Sequence, residues 1–390
     1  FIHENDHGSD GDENMDDTAD YHYNQRHDEE DEHEDDEDEG RDDEDEEEEI
    51  NEDGAFDPFN GSGSGRISGN DMRSRLLSEM FPEAANFFSA LSGGGTSGIN
   101  GLIDGLSRRD DPFLILETLN ELSDRLLVTN SLTEAGVPVT KLSKALISIL
   151  NDPFLTGELE VQLVACRCIY NLWEVNPDYA YTLVSVGAIE AIQPKLMEIS
   201  YIDLAEQCLQ TLEVISRSSG KRILSTGCLS ACVQYLDFFT IHAQRKALII
   251  AANSCVGIKG DSLDSINEVF PILSRVAVEY SDTIAVENAL VAICGILNSF
   301  KDSPLSLEKL VKPELLRRML DIISASSSRK STKGDGVSSS STVVLNLATV
   351  NKSLTALASI SSASPTISFM LINECEVGKF FNRALGRDYD

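Results

Sequence analysis

The stretch of sequence that decides the fold occurs three times in the middle of the chain, as ACRCIYNLWEV (165–175), AEQCLQTLEVI (205–215) and QRKALIIAANS (244–254). The second copy lies 40 residues after the first, and the third copy lies 39 residues after the second. In each copy the apolar residues are spaced three and four positions apart, which predicts an amphipathic helix. The middle of the chain is therefore predicted to repeat one helical unit about every 40 residues.

A second helix is predicted inside each unit. GAIEAIQPKL (187–196) and GCLSACVQYL (227–236) are again 40 residues apart, and INEVFPILSRV (266–276) takes this place in the third unit. Gly187 and Gly227 suit a left-handed cap, which ends a short preceding helix and turns the chain sharply. Three helices per unit and this period predict an all-α fold, an armadillo or HEAT-like right-handed superhelical solenoid.

The short first helices can be bounded by their caps. Asn176 suits the N-cap of a helix that ends at Gly187, with Pro177 as its first residue. Ser219 suits the N-cap of the next short helix, which Gly227 ends. The apolar spacing predicts further helices at 116–126, 142–150, 285–297 and 343–360.

The composition changes along the chain and divides it into three parts. Residues 1–60 are predicted to be a disordered acidic tail, because they have too few apolar residues to offset the entropy of ordering. Residues 61–98, rich in Gly and Ser, are predicted to be a flexible linker in which 72–91 can form a short helix. The armadillo solenoid is predicted over 99–390, with a disordered Ser- and Gly-rich insertion at 325–341.

The net charge of −35 is concentrated in the acidic tail. Residues 1–57 carry 30 Asp and Glu against two Arg, a balance of −28, which leaves −7 for the rest of the chain. A run of this kind is most often a solvated segment. It also suits docking to basic partners such as histones, and it disfavours direct binding of nucleic acid because it would repel the phosphates.

Neither a membrane protein nor a disulfide-stabilised secreted fold is predicted. No apolar run reaches the roughly 18 residues that a membrane span requires. The eight Cys lie mostly inside amphipathic helices, which indicates reduced, buried thiols in the cytosol or nucleus. The sequence begins at Phe1 with neither an initiator Met nor a signal sequence, and it is expected to be part of a longer protein.

The segment from Tyr201 to Cys255 resembles a known family. Its parts IDLAEQCLQTLEVIS, LDFF and HAQRKALIIAANSC are similar to the armadillo region of the ubiquitin-fusion-degradation HECT ubiquitin ligases and of their animal and plant relatives. The likeness covers roughly residues 100–300. It implies an intact HECT-type E3 ubiquitin transferase that takes ubiquitin from an E2 onto a catalytic Cys of a C-terminal HECT domain, which this sequence does not contain.

The same resemblance implies that the armadillo region is the recognition end of the ligase. Its partners would be ubiquitin, or substrate proteins that carry a fused ubiquitin or a degron. The intact protein would work with an E2 and with the proteasome, in the cytoplasm and nucleus. No cofactor, no membrane and no direct nucleic-acid partner is implied.

A partner-binding groove is predicted on the long helices, which line the concave face of an armadillo array. Nuclear-import adaptors place a Trp and an Asn four residues apart there, and the missing Trp ladder in this chain argues against such cargo. Residues four apart share one helix face, and stacked repeats align them into a strip. The alternative is that these are ordinary solvated positions. The candidate groove residues are Arg167, Asn171, Gln207, Thr211, Lys246 and Asn288.

No catalytic or metal-binding residue is predicted. Cys228 and Cys232 share a helix face, but His242 is the one His of the body and no second Cys pair has ligand spacing. Cys375 has no nearby His to activate it. Trp173 is predicted to pack in the core or between repeats. Two alternative functions stay open: a non-enzymatic armadillo adaptor that bridges protein partners, and an acidic histone-binding chaperone that acts through its tail.

Overall fold

The computed structural model describes residues 96–128, 138–258, 262–328 and 343–385. The predicted acidic tail, nearly all of the linker and most of the predicted insertion lie outside these ranges. The regular structure of the described residues is helical throughout, without a strand. The prediction of an all-α fold is therefore confirmed for this part of the chain.

The helices follow one another closely and recur in groups of three. Two of the second helices continue into a 3-10 turn, at Gln193–Met197 and Leu236–Phe238. Over the described ranges, the one apolar pair of helices that reaches membrane-spanning length is bent by 119°, and no single helix reaches it. The α-helices in chain order are α1 (Thr96–Gly105), α2 (Pro112–Val128), α3 (Val139–Leu150), α4 (Leu159–Val175), α5 (Tyr179–Ser185), α6 (Ala188–Ile192), α7 (Ile202–Ser225), α8 (Cys228–Gln234), α9 (Ile241–Ser254), α10 (Leu263–Glu279), α11 (Thr283–Ser299), α12 (Pro304–Leu310), α13 (Pro313–Ser328), α14 (Leu347–Ala363), α15 (Pro365–Asn373) and α16 (Val377–Leu385).

The long helices stack on one another in chain order and form one layer of the solenoid. Each of α2, α4, α7, α9, α11 and α14 packs against the next one. The second helices α3, α6 with its 3-10 turn, α8, α10 and α13 form the other layer in the same order. The apolar faces of the two layers make one continuous core, so each repeat buries its surface against its neighbours.

Two glycines make the sharp turns between the short first helices and the second helices. Gly187 (φ 92°) and Gly227 (φ 76°) adopt the left-handed conformation, which strains residues that have a side chain. Their amides donate to the carbonyls of Val184 and Leu224, both at 3.1 Å, and so close the preceding helices. The prediction of left-handed glycine caps is confirmed.

One of the two predicted starts of the short first helices differs from the structure. Asn176 is not the N-cap: its Oδ1 accepts a hydrogen bond from the amide of Asp178 (2.8 Å), which closes a turn, and α5 starts only at Tyr179. The second predicted start is confirmed. Helix α7 consists of two helices that meet across a kink at Ser219, the one non-helical residue within it (φ −131°, ψ 25°), so a short helix does begin after Ser219.

Neighbouring repeats touch through their backbones at two glycines. A Cβ atom at Gly220, just after the kink in α7, would lie 2.6 Å from the carbonyl oxygen of Asn253 in α9. A Cβ atom at Gly295 in α11 would overlap the carbonyl oxygen of Cys255. Both contacts are closer than any side chain permits, so the repeats can stack this tightly only with glycine at these positions.

Two predicted boundaries differ from the structure by a few residues. The solenoid begins with α1 at Thr96 rather than at 99, and α13 continues to Ser328 although the insertion was predicted from 325. The hydroxyl of Ser326 donates to the carbonyl of Ile322 (2.7 Å) and accepts from the amide of Leu345 (3.0 Å). These bonds tie the last turn of α13 to the segment before α14, which explains why it stays helical.

Candidate functional site

The capping residues of three long helices define their equivalent positions. The side chains of Thr240, Asp282 and Asn346 each accept a hydrogen bond from the amide three residues later, at the starts of α9, α11 and α14. These caps mark the equivalent starting position of each helix. The residues six positions after these caps are Lys246, Asn288 and Lys352.

These three residues continue a strip that begins with Arg167 on α4 and Gln207 on α7. Arg167 and Lys352 are exposed, and the three residues between them are half-buried. Cationic and amide side chains alternate along the strip. The strip, called the groove strip below, consists of Arg167, Gln207, Lys246, Asn288 and Lys352. Its role in binding stays a prediction.

Lys352 was missed by the sequence analysis because the repeat period changes before it. The N-caps of α9 and α11 lie 42 residues apart, whereas those of α11 and α14 lie 64 residues apart. The longer segment between α13 and α14 adds most of the difference. The sequence signal that locates Lys352 is Asn346, a capping residue directly before an apolar helical pattern, because Lys352 lies six residues after it.

Two of the predicted groove residues are buried between long helices. Asn171 is 4% exposed, and its Nδ2 donates to Oγ of Ser123 on α2 at 3.0 Å. Thr211 has no exposed surface, and its Oγ1 lies within hydrogen-bond distance of two carbonyls, that of Gln207 on its own helix (2.9 Å) and that of Cys166 on α4 (3.3 Å). The reason is geometric: a residue four positions after the groove strip is rotated about 40° around the helix, here toward the preceding helix. Both side chains join repeats instead of facing a partner.

The cations of the groove strip have no carboxylate partner among the described residues. Arg167, Lys246 and Lys352 form no ion pair there. Most arginines in the same ranges do pair with a carboxylate. The paired cations are Arg109, Arg125, Lys141, Arg217, Arg222, Arg245, Arg275 and Lys379. The strip therefore presents three cations that no described carboxylate neutralises.

A second row of side chains runs beside the groove strip, three positions further along each helix. Its first four members are half-buried and the last is exposed. Three of them are aromatic or aliphatic, so apolar contact is available directly beside the polar strip. The row consists of Tyr170, Gln210, Ile249, Val291 and Thr355.

The two amides of the groove strip differ in their hydrogen bonding. Nδ2 of Asn288 donates to the carbonyl of Ile284 on the same helix at 2.9 Å. Nε2 of Gln207 is buried and has no hydrogen-bond partner within the described ranges. A buried donor left without a partner costs about 1–3 kcal/mol. Rotation of Gln207 onto a bound partner would satisfy this donor without breaking another hydrogen bond.

Trp173 lies half-buried between two long helices, which agrees with the packing role predicted for it. The guanidinium of Arg217 on α7 lies 5.2 Å from the centre of the indole ring. Its Nε and Nη2 donate to the carboxylate of Glu213 at 3.1 and 3.2 Å. The ring centres of Tyr170 and Trp173 are 6.2 Å apart. Burial, together with a hydrogen bond to Glu174, raises the pKa of the Tyr170 hydroxyl. This cluster joins α4 to α7.

The described residues offer binding groups rather than reactive ones. All eight cysteines are free and buried. Burial raises the pKa of Cys255 to about 12 and that of Cys294 to about 11, so these thiols stay protonated at neutral pH. In the part of the chain that the structure describes, no group of three or more His, Cys, Asp or Glu could hold a metal ion. The groups of the groove strip are cations and amides, which form charge-assisted and neutral hydrogen bonds.

The sequence comparisons agree on one group of proteins. Residues 70–225 match the family described as E3 ubiquitin-protein ligase TRIP12-like, TPR repeats. Ubiquitin fusion degradation protein 4 of Saccharomyces cerevisiae is 42% identical over 219 residues, which are 55% of this chain and 14% of that protein. E3 ubiquitin-protein ligase TRIP12 of Danio rerio is 30% identical over 237 residues, 61% of this chain and 11% of that protein. The chain thus spans only a small part of the length of these relatives.

The structural comparison concerns the fold. A computationally designed armadillo repeat protein for modular peptide recognition has a TM-score of 0.50 and 17% sequence identity, and the match covers 65% of this chain and 98% of that protein. The prediction of an armadillo-type solenoid is confirmed. The matching family is described by its TPR repeats, which have two helices per unit, whereas the clear units here have three.

Proposed function

We propose that this chain, whose repeat body is homologous to that of the TRIP12-like ubiquitin ligases, is the substrate- and ubiquitin-recognition region of a HECT-type E3 ubiquitin-protein ligase. The intact protein would transfer ubiquitin from an E2, through a catalytic Cys outside this sequence, to proteins that carry a fused ubiquitin or a degron. Those proteins would then be degraded by the proteasome, in the cytoplasm and nucleus.

The observation that carries this proposal is the groove strip. Its cations form no ion pair with a described carboxylate, and its amide and cationic groups recur on five consecutive long helices. Spaced hydrogen-bonding groups of this kind suit a macromolecular surface, whose rim is polar, better than they suit a small ligand, which needs a concave pocket. The homologous ligases supply the class of partner, which is a ubiquitin-bearing or degron-bearing protein.

The test is retention of a ubiquitin-fused protein by the full chain. Arg167→Glu with Lys246→Glu reverses two charges of the groove strip and should reduce retention severalfold, because each reversal replaces an attraction by a repulsion. Lys144→Glu with Lys301→Glu makes the same charge change at two exposed residues outside the strip and is the matched control. Equal retention by both double variants, with unchanged melting temperatures, would refute the role of the strip.

A non-enzymatic adaptor is the alternative, and the intact protein separates the two. A ligase forms a thioester with ubiquitin when it is mixed with E1, a suitable E2 and ATP, and this adduct is cleaved by a thiol reductant. An adaptor binds its partners through the same strip but forms no such adduct. Absence of the adduct with a broad panel of E2 proteins would leave the adaptor as the better account.

A further inference from the structure

Cations and amides alternate along the groove strip from one repeat to the next. The spacing of the long helices therefore sets the distance between successive cations. Neighbouring packed helices lie about 10 Å apart, so cations on every second long helix are about 20 Å apart. An extended peptide advances about 3.3 Å per residue. A peptide that follows the strip therefore passes from Arg167 to Lys246, or from Lys246 to Lys352, in about six residues.

The positive charge of the strip favours a negatively charged partner. Arg167, Lys246 and Lys352 carry positive charge and form no ion pair with a described carboxylate. A carboxylate that binds one of them does not have to displace an existing partner. Charge-assisted hydrogen bonds of this type are about twice as strong as neutral ones, and arginine can make two of them to one carboxylate.

The amides between the cations suit a peptide backbone. A side-chain amide both donates and accepts, as a peptide group does, and so can bind an extended main chain whatever its sequence. Gln207 lies between Arg167 and Lys246 and has a donor without a partner. Asn288 lies between Lys246 and Lys352, and its side-chain amide donates to the carbonyl of Ile284 on its own helix.

The neighbouring row adds apolar contact at the centre of the strip. Ile249 and Val291 are half-buried beside Lys246 and Asn288. In an extended peptide alternate side chains point to opposite sides, so a peptide can direct acidic side chains to the strip and an apolar one to this row. Polar and apolar contacts are thus available to the same bound segment.

We infer that the groove strip binds an extended, acidic segment of a partner protein, with carboxylates about six residues apart on the three cations and the backbone between them on the two amides. This inference rests on the proposed function, because it names the class of segment that the recognition region would take from its substrates. A folded surface such as ubiquitin itself is the competing occupant of the same strip.

Three labelled peptides of equal length, measured by fluorescence anisotropy against the full chain at physiological salt, test the inference. The first peptide has three Asp about six residues apart and one Leu near its centre. The second has the same composition, but its three Asp are adjacent. The third is the first peptide with each Asp replaced by Asn. The first should bind about tenfold more tightly than the other two. The first two have equal charge, so repulsion from the acidic tail affects both alike.

The strip variants identify where the peptide binds. Arg167→Glu with Lys246→Glu should weaken binding of the first peptide about tenfold, while the control Lys144→Glu with Lys301→Glu should leave it unchanged. Equal binding of the spaced and adjacent peptides would overturn the inference.

The failure of this inference can be told from the failure of the proposed function. If no peptide binds while a ubiquitin-fused protein is still retained through the strip, the extended acidic segment is wrong and the folded surface is the occupant. If the spaced peptide binds through the strip while no ubiquitin-bearing protein does, the inference is supported and the proposed function is wrong. If neither binds, both are wrong.

Discussion

Arg245 on α9 donates two hydrogen bonds to the carboxylate of Asp282, from Nε to Oδ1 at 3.1 Å and from Nη2 to Oδ2 at 2.6 Å. Asp282 is also the N-cap of α11, since its Oδ1 accepts from the amide of Ala285 at 2.8 Å. One carboxylate therefore both starts a long helix and fixes it to the preceding one. Glu206 and Glu287 precede strip residues as Arg245 does, and they also contact the next cap, but as acceptors. Oε1 of Glu206 accepts from the backbone amide of Thr240, and Oε1 of Glu287 accepts from Nδ2 of Asn346.

We predict that Asp282→Ala destabilises the protein by about 1 kcal/mol through the lost N-cap, with a further loss from the ion pair. Arg245→Ala removes the ion pair but keeps the cap, so it should lower the melting temperature less. Thermal denaturation of the two single variants and of the double variant forms a double-mutant cycle, which measures the interaction energy between Arg245 and Asp282. Equal effects of the two single variants would contradict the capping role of Asp282.

The same contact predicts a pH dependence. The hydrogen bonds from Arg245 hold the pKa of the Asp282 carboxyl below its usual range. A carboxylate with a lowered folded-state pKa stabilises the protein above its unfolded pKa of about 3.9, and this stability is lost as the pH falls through the folded-state value. The difference in melting temperature between the wild type and Asp282→Asn, which keeps a capping residue, should be constant near neutral pH and shrink below about pH 4. A difference that grows on acidification would exclude this account.

Close backbone contact between repeats predicts the effect of adding one methyl group. Gly220→Ala would place a Cβ 2.6 Å from the carbonyl oxygen of Asn253, and it should destabilise the protein by about 1–3 kcal/mol despite the better helix propensity of alanine. Gly157→Ala is the matched control, because nothing lies within 4 Å of its added Cβ. It should be neutral or stabilising by up to about 1 kcal/mol. Urea unfolding of both variants measures the difference, and equal midpoints would show that α7 can move away from α9.

The two-layer core predicts that damage to one repeat spreads to its neighbours. Leu212 on α7 and Leu248 on α9 have no exposed surface, so replacement of either by Asp buries an unpaired carboxylate at a cost of several kcal/mol. Because repeats are stabilised by their neighbours, adjacent repeats should unfold together. Leu305→Asp is the control, since Leu305 is 76% exposed. Hydrogen exchange resolved along the chain should show lost protection in α4, α7, α9 and α11, and loss confined to one helix would contradict the prediction.

The sequence predicted the parts of this molecule that depend on local spacing. Apolar periodicity gave the long helices, and the 40-residue offset of Gly187 and Gly227 gave the left-handed turns. Positions that depend on the approach of a second helix were not predictable in this way. A spacing of four residues from Arg167 and Gln207 placed Asn171 and Thr211 on the groove face, but both polar groups are used in contacts between helices.

A change of period limited the prediction of the groove strip in the same way. Arg167, Gln207 and Lys246 follow one another at offsets of 40 and 39 residues, and Asn288 lies 42 residues after Lys246. Lys352 comes into register only when Asn346 is recognised as a cap, because 64 residues separate the caps of α11 and α14. Insertions in a solenoid loop leave the stacking of long helices intact, so structural register survives where sequence register is lost.

The last prediction separates the groove strip from the acidic tail. Deletion of residues 1–57 removes a charge balance of −28 but none of the described residues. At physiological salt, charge effects are screened beyond about 8 Å, so a partner held on the strip should bind the shortened chain almost as tightly as the full one. Retention of a ubiquitin-fused protein should then change little on deletion, and fall severalfold when Arg167→Glu and Lys246→Glu are added to the deletion. The histone-chaperone alternative predicts the reverse, because it assigns binding to the tail. If deletion abolishes retention while the two strip substitutions leave it intact, the tail is the functional element and the strip is an ordinary solvated face.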